Sequence, residues 1–371
     1  MKERQRLVIA AVLVGLLVLL AVVFGQRQER STASSTAGAE WLPGLKDQLA
    51  SLQRVRVQSG GTVSTLSRDG ERWGVAEREG YAVDTGRLGE LLEELAAARV
   101  LEPKTSKPEL FDRLGLSDIE KPDSKAVLVE LWAGGEKPLF RVLVGNAAEG
   151  RKGRYVRLAD ATETWLVDRS PQAFADPADW IDRTLLGLPF EQVARVTRAL
   201  PGKGEGFSAS RKDASQPSLA FEGDAGDRKP RYESVFDATA RAVLGAEAED
   251  VAKAAEDRFP ESSTVRNTIG FFDGLVLELQ SSKREDGNWV RVLASRGTPA
   301  APAPADAPAP VADAATPPAQ DLDARVRSLN ARLGGWAYKV SDYVHGELVK
   351  PLPEYLESVK PEGKDSNDKP S

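Results

Sequence analysis

KAVLVELWAGGEKPLFRVLVG, residues 125–145, alternates apolar and polar side chains on both sides of a glycine-bearing turn. That alternation has the period of a strand, so the stretch reads as two antiparallel strands with one face toward a core. Placing Val129 opposite Val142 and Leu131 opposite Phe140 collects the apolar side chains on one face. Glu130 then stands opposite Arg141 on the other, a cross-strand ion pair that helps set register and contributes about 0.2–1 kcal/mol. Outward from this hairpin, RYVRL (154–158) and TWLVD (164–168) supply two more strands, and Thr62–Ser67 and Glu71–Ala76 flank an Asp69-Gly70 turn. Between the two groups, Leu88, Leu91, Leu92 and Leu95 recur at helical spacing, with Glu90, Glu93 and Glu94 on the solvent side. Asp84 is the expected N-cap of that helix, since its carboxylate suits the unpaired amides and the positive end of the helix dipole. The expected fold class is α+β, a mostly antiparallel sheet with one covering helix.

The same order recurs downstream. LQRVRV (52–57) has a counterpart in VARVTR (193–198), and the helical segment has one in RYESVFDATARAVLG (231–245) with EAEDVAKAAEDRF (247–259). Leu128-Val129-Glu130-Leu131 and Phe140-Arg141-Val142-Leu143 match Val276-Leu277-Glu278-Leu279 and Val290-Arg291-Val292-Leu293, at offsets of 148 for the glutamates and 150 for the arginines. Two tandem related modules are therefore expected, with Glu278 opposite Arg291 as the second copy of the ion pair. TWLVD matches AYKVS (337–341) at an offset of 173, and the excess over 150 equals the 23 residues of Thr298–Gln320, a Pro/Ala/Asp run that cannot form a core. This places the run as a disordered insertion inside the second module, where the first has the loop Asn146–Gly153. The expected boundaries are 1–25 for a cytoplasmic N-terminus and membrane anchor, 26–40 for a flexible spacer, 41–186 and 187–359 for the modules, and 360–371 for a polar disordered tail.

The anchor is LVIAAVLVGLLVLLAVVF, Leu7–Phe24. An uncharged run of about 18 residues rises roughly 27 Å as a helix, close to the ~30 Å hydrocarbon layer. Lys2, Arg4 and Arg6 precede it, which orients the N-terminus inside and the body outside the cytoplasmic membrane. The run is longer than a signal-peptide core and has no small-residue cleavage site directly behind it, so an uncleaved anchor is expected.

Composition narrows the chemistry. The chain has no Cys and one His, so disulfides, thiol nucleophiles and thiolate metal sites are excluded. A net charge of −6 argues against nucleic acid as a partner. His345 stands without a motif, and a structural or surface role is expected of it. PGKGEGF (201–207) lacks the Gly-Lys-Ser/Thr element of a phosphate loop. No catalytic, cofactor or metal residues are identified. Trp73, Tyr81, Trp132, Trp165, Trp289 and Trp336 lie on or beside strands, as packing residues or, if exposed on one face, as a sugar platform.

The Trp73 strand, the Gly80-Tyr81 lead into the Asp84-capped helix, LFRVLVGN (139–146) and the RYVRL–TWLVD pair, behind a short anchor, resemble an uncharacterised bacterial family. The resemblance is best over Arg72–Leu188 and looser in the second copy, and the Pro/Ala insertion departs from it. Genes of that family often lie beside those of gliding-motility-type ABC transporters with an extracytoplasmic subunit. The resemblance thus implies a neighbourhood, with inner-membrane transporter subunits as partners, and supplies no catalytic residues. The expectation is a non-enzymatic accessory protein of the bacterial envelope, the alternative being a carboxylate-dependent hydrolase or a binding module acting on envelope glycan.

Overall fold

Strand-period alternation builds two antiparallel sheets in the computed structural model, which describes residues 37–202, 204–298 and 322–358. The chain divides into two units between Asp182 and Arg183. Arg183–Leu186 belong with the second unit because Thr184 bridges Glu247 and the Leu185 N–H donates to Ala246 O. The membrane run, the spacer up to Thr36, the Pro/Ala run from Pro299 and the tail lie outside the described residues. Among the described residues, no helix is long and apolar enough to cross a membrane.

In chain order the first unit comprises α1 (Leu45–Gln48), β1 (Arg54–Ser59), β2 (Thr62–Asp69), β3 (Arg72–Val75), β4 (Tyr81–Ala82), α2 (Thr85–Ala97), β5 (Val100–Pro103), α3 (Phe111–Leu114), β6 (Val127–Trp132), β7 (Phe140–Ala147), β8 (Arg154–Leu158) and β9 (Thr164–Val167). The sheet runs β4-β3-β2-β1-β6-β7-β8-β9-β5. Asp84 caps α2, accepting from the Arg87 N–H at 3.0 Å, and the helix buries Leu88, Leu91 and Leu95. Val55, Val57, Leu66, Val129, Leu131, Val142 and Val156 are buried on alternate positions of the strands. A second, smaller cluster of Phe111, Leu116, Ala126, Leu128 and Leu143 forms where the chain around α3 covers the opposite face.

The second unit comprises β10 (Val193–Ala199), β11 (Phe207–Ser210), β12 (Ala220–Phe221), β13 (Arg228–Pro230), α4 (Ala238–Leu244), β14 (Asp250–Lys253), β15 (Val265–Phe271), β16 (Leu275–Arg284), β17 (Gly287–Arg296), α5 (Leu322–Leu333), β18 (Trp336–Val340), α6 (Asp342–Val349) and β19 (Leu356–Ser358). Its sheet runs β12-β11-β10-β15-β16-β17-β18-β14, and β13 pairs with β19 as a separate ribbon. With β4 set aside, the two orders correspond position by position. β1 answers to β10, β6 to β15, β7 to β16, β8 to β17, β9 to β18 and β5 to β14.

The structure corrects four expectations. The hairpin β6–β7 answers to β15–β16, so its sequence match to β16–β17 is one strand out; alternating hairpins resemble one another wherever they fall. Glu278 faces Leu293, and Arg291 faces Gln280, because the two-residue turn between Arg284 and Gly287 sets a register two residues from the expected one. The Pro/Ala run follows β17, so its counterpart is the β8–β9 loop at 159–163 and not Asn146–Gly153. EAEDVAKAAEDRF is also not an α-helix: Asp250–Lys253 form β14, where Val251 is buried and edge pairing to β18 outweighs the helix propensity of the alanines and glutamates, and Glu256–Arg258 make a single 3-10 turn.

Candidate functional site

Glu130 and Arg141 face each other across β6–β7. Glu130 is 6% exposed, and its two oxygens accept from Arg56 Nη1 at 2.9 Å and Arg141 Nε at 3.0 Å. Arg141 also reaches Asp160 at 2.8 Å, and the bond to Glu130 holds its guanidinium above the ordinary range. A carboxylate clamped by two guanidiniums has its lone pairs engaged and its charge compensated, which suits register and not proton transfer. In the second unit Gln280 stands between the two residues expected to pair. Its Nε2 donates to Glu278 at 2.8 Å and its Oε1 accepts from Arg291 Nε at 2.8 Å. Arg291 turns its charge toward Glu256, 3.4 Å away, over the Phe259 ring.

Glu222 is held similarly, by Arg195 at 2.7 Å and by Ser208 and Ser210. The Ser210 hydroxyl is the main cause that keeps its carboxyl below the ordinary value; Ser208 and Arg195 add to it against partial burial. His345 is half-buried on α6, and its Nδ1 has no partner. Burial pushes its pKa down, Lys283 adds to this, and Asp342 opposes it. The nearby Asp342 accepts instead from Asn288 at 2.8 Å, and the buried hydroxyls of Ser281 and Ser282 are unbonded. A Ser–His–Asp relay needs successive hydrogen bonds, and these residues do not form them. Among the described residues, no cluster of three or more His, Asp or Glu side chains could hold a metal ion. The strand aromatics are half-buried at Trp73, Trp132, Trp165 and Trp336 and buried at Tyr81 and Trp289.

The most connected polar centre was not anticipated. Arg198, on β10, is 2% exposed and bonds Asn267 at 2.8 Å, Thr239 at 2.8 Å, the Tyr355 hydroxyl at 3.0 Å, and the carbonyls of Glu347 and Lys350. Asn267 adds a bond to Leu348 O at 2.9 Å. The guanidinium thus collects carbonyls from the last turn of α6, the end where the helix dipole favours a cation. Burial lowers its pKa, with Tyr355 and Glu347 opposing. The signal was present in VARVTR, where Val196 and Arg198 share the inward-facing alternation. Arg157 and Arg211 repeat the device, bonding the carbonyls of Ala159, Ala161 and Leu116, and of Phe190, Glu191, Val193 and Gln216.

Open depressions mark the second unit. One, of about 710 Å³, is lined by Asp257, Arg258, Lys283, Arg284, Glu285 and Asp286 at the β16–β17 turn. A second, of about 410 Å³, lies along α6 beside Tyr343, which is 68% exposed, and a third, of about 350 Å³, beside Arg195 and Gly270. Each is open to solvent, and the first is lined by charged side chains, unlike the enclosed clefts that bury most of a small molecule.

Residues 73–263 match a family described as Domain of unknown function (DUF4340). The chain belongs to this family. The DUF4340 match begins within β3 and stops before β15, so the four central and distal strands β15–β18 of the second sheet lie beyond it. No curated protein and no solved structure matches the chain.

Proposed function

We propose that this DUF4340 protein is a non-enzymatic accessory component of the bacterial envelope, held to the cytoplasmic membrane by Leu7–Phe24 and working from the extracytoplasmic side with an ABC-type transport or gliding-type complex. The two units are read as tandem copies of one module, a reading supported by their matching strand orders. The observation that carries the functional reading is the commitment of Glu130 to Arg56 and Arg141: a well-sheltered carboxylate serves as a sheet clamp. The basic residues before Leu7 support the orientation, and the spacer after Phe24 allows the body to reach across the membrane surface.

A cytoplasm-only reporter fused after Ser371 is expected to be silent, and its activity would reverse the orientation. Crosslinking in cells followed by purification through the full-length protein is expected to recover inner-membrane transporter subunits. An adaptor loses function through changes spread over a surface, whereas an enzyme loses orders of magnitude from one conservative change. Neutralising single carboxylates, as in Asp168→Asn, should therefore leave cellular function intact. Loss of function in such a variant that remains folded and abundant overturns the reading in favour of the hydrolase.

A further inference from the structure

The far end of the second core is closed by α6 and the chain that follows it to Ser358. Among the described residues this segment makes no backbone hydrogen bond to a strand of the eight-stranded sheet. Its polar attachments include the two-stranded ribbon of β13 and β19, the Leu352 N–H to Glu205 O, the Arg231 N–H to Tyr355 O, the Asn288–Asp342 bond, and the bonds converging from Arg198, Asn267 and Thr239, and its buried side chains are Val344, Leu348, Leu352, Tyr355 and Leu356. A two-stranded ribbon is marginal alone in water. Tyr355 completes a three-ring cluster, stacked on Phe236 at 5.2 Å and tilted against Phe207 at 5.1 Å; those two rings are themselves 5.1 Å apart, with Phe221 behind Phe236.

We propose that α6 through Ser358 is a releasable strap, latched by Arg198, with Tyr355 acting as the internal ligand of the aromatic face that Phe207 and Phe236 form together. The proposal is independent of the envelope reading. The latch is suited to opening because its bonds exchange for bonds to water when the strap lifts, so each is worth far less net than it is in isolation. Asn267 and Thr239 lie outside the strap and still hold Arg198 when it leaves. The guanidinium then presents its freed donors beside two aromatic faces, a site fitted to an aromatic side chain carrying an oxygen acceptor.

Hydrogen exchange on the full-length protein tests this. The amides of residues 344–358 are expected to exchange as one group, faster than those of β15–β17. Arg198→Met should speed that group by about tenfold or more and leave β15–β17 unchanged. Tyr355→Phe, which keeps the ring and removes the hydroxyl, should speed the same group less, and it decides the matter should Arg198→Met not fold. Equal protection of the strap and β15–β17, acceleration of the whole unit by Arg198→Met, or no change in the strap with Tyr355→Phe overturns the proposal.

Discussion

Val57 faces Val129 in the first sheet, and Arg198 faces Asn267 at the corresponding point of the second. All four side chains are buried. The first unit covers its sheet with a 13-residue helix that contributes Leu88, Leu91 and Leu95, and hydrocarbon against hydrocarbon suffices. The second has a seven-residue helix in that place in the order, α4, and completes its closure with α6, whose terminal carbonyls need a donor. One strand order therefore tolerates either an apolar or an ionic centre, provided that the covering element matches it. The polar version trades strength for direction, since a guanidinium specifies where five partners must lie.

Transplanting one centre into the other is the most severe test. Val57→Arg puts a cation where no helix end awaits it, and should cost about 5 kcal/mol or more, enough to unfold the first unit. Limited proteolysis should show residues 37–182 digested, and a protected first unit would mean that the covering element is not what selects the centre. Glu130→Gln removes the charge shared by Arg56 and Arg141. With those guanidiniums about a third exposed, a loss of about 2 kcal/mol is expected from denaturant unfolding, between the exposed and buried limits for ion pairs. The Gln280-bridged arrangement should be less sensitive, and an equal loss from Glu278→Gln would remove the distinction drawn between the units. Asp84→Ala takes away the α2 cap and should cost about 1 kcal/mol in thermal unfolding, with no effect on the second unit.

The smallest effect is one of pH. His345 has a folded pKa below its ordinary 6.5, so it binds a proton less readily when folded than when unfolded. Its contribution is present above 6.5 and is lost as the pH falls from there through the lowered folded value. Lys283 reinforces this and Asp342 opposes it. His345→Asn should flatten the stability of the second unit across that window, and an unchanged slope would assign it to other groups.

What could be read in the sequence was local. The register of β6–β7 follows from alternation around one turn, and the Asp84 cap from a carboxylate standing just ahead of a leucine stripe. The equivalence of hairpins was not readable to the strand, because β6–β7, β15–β16 and β16–β17 share one alternating pattern. Only the order within each sheet separates them. Alternation puts Glu278 directly opposite Arg291, but the turn at 285–286 makes them diagonal neighbours with Gln280 between. Arg198 was hardest to see as a centre, since its carbonyl partner at Glu347 is 149 residues away and nothing nearby announces it.

The strap has a consequence in time as well as in space. Chain synthesis delivers β10 with its arginine long before α6 and Tyr355, so the second sheet can assemble through β18 while the guanidinium still faces water. Its final enclosure waits for the last 17 described residues, 342–358. The first unit has no such debt, because its helix α2 precedes β5–β9 in the chain. A nascent chain halted just after β18 would thus carry one finished unit and one sheet open at a single, charged end.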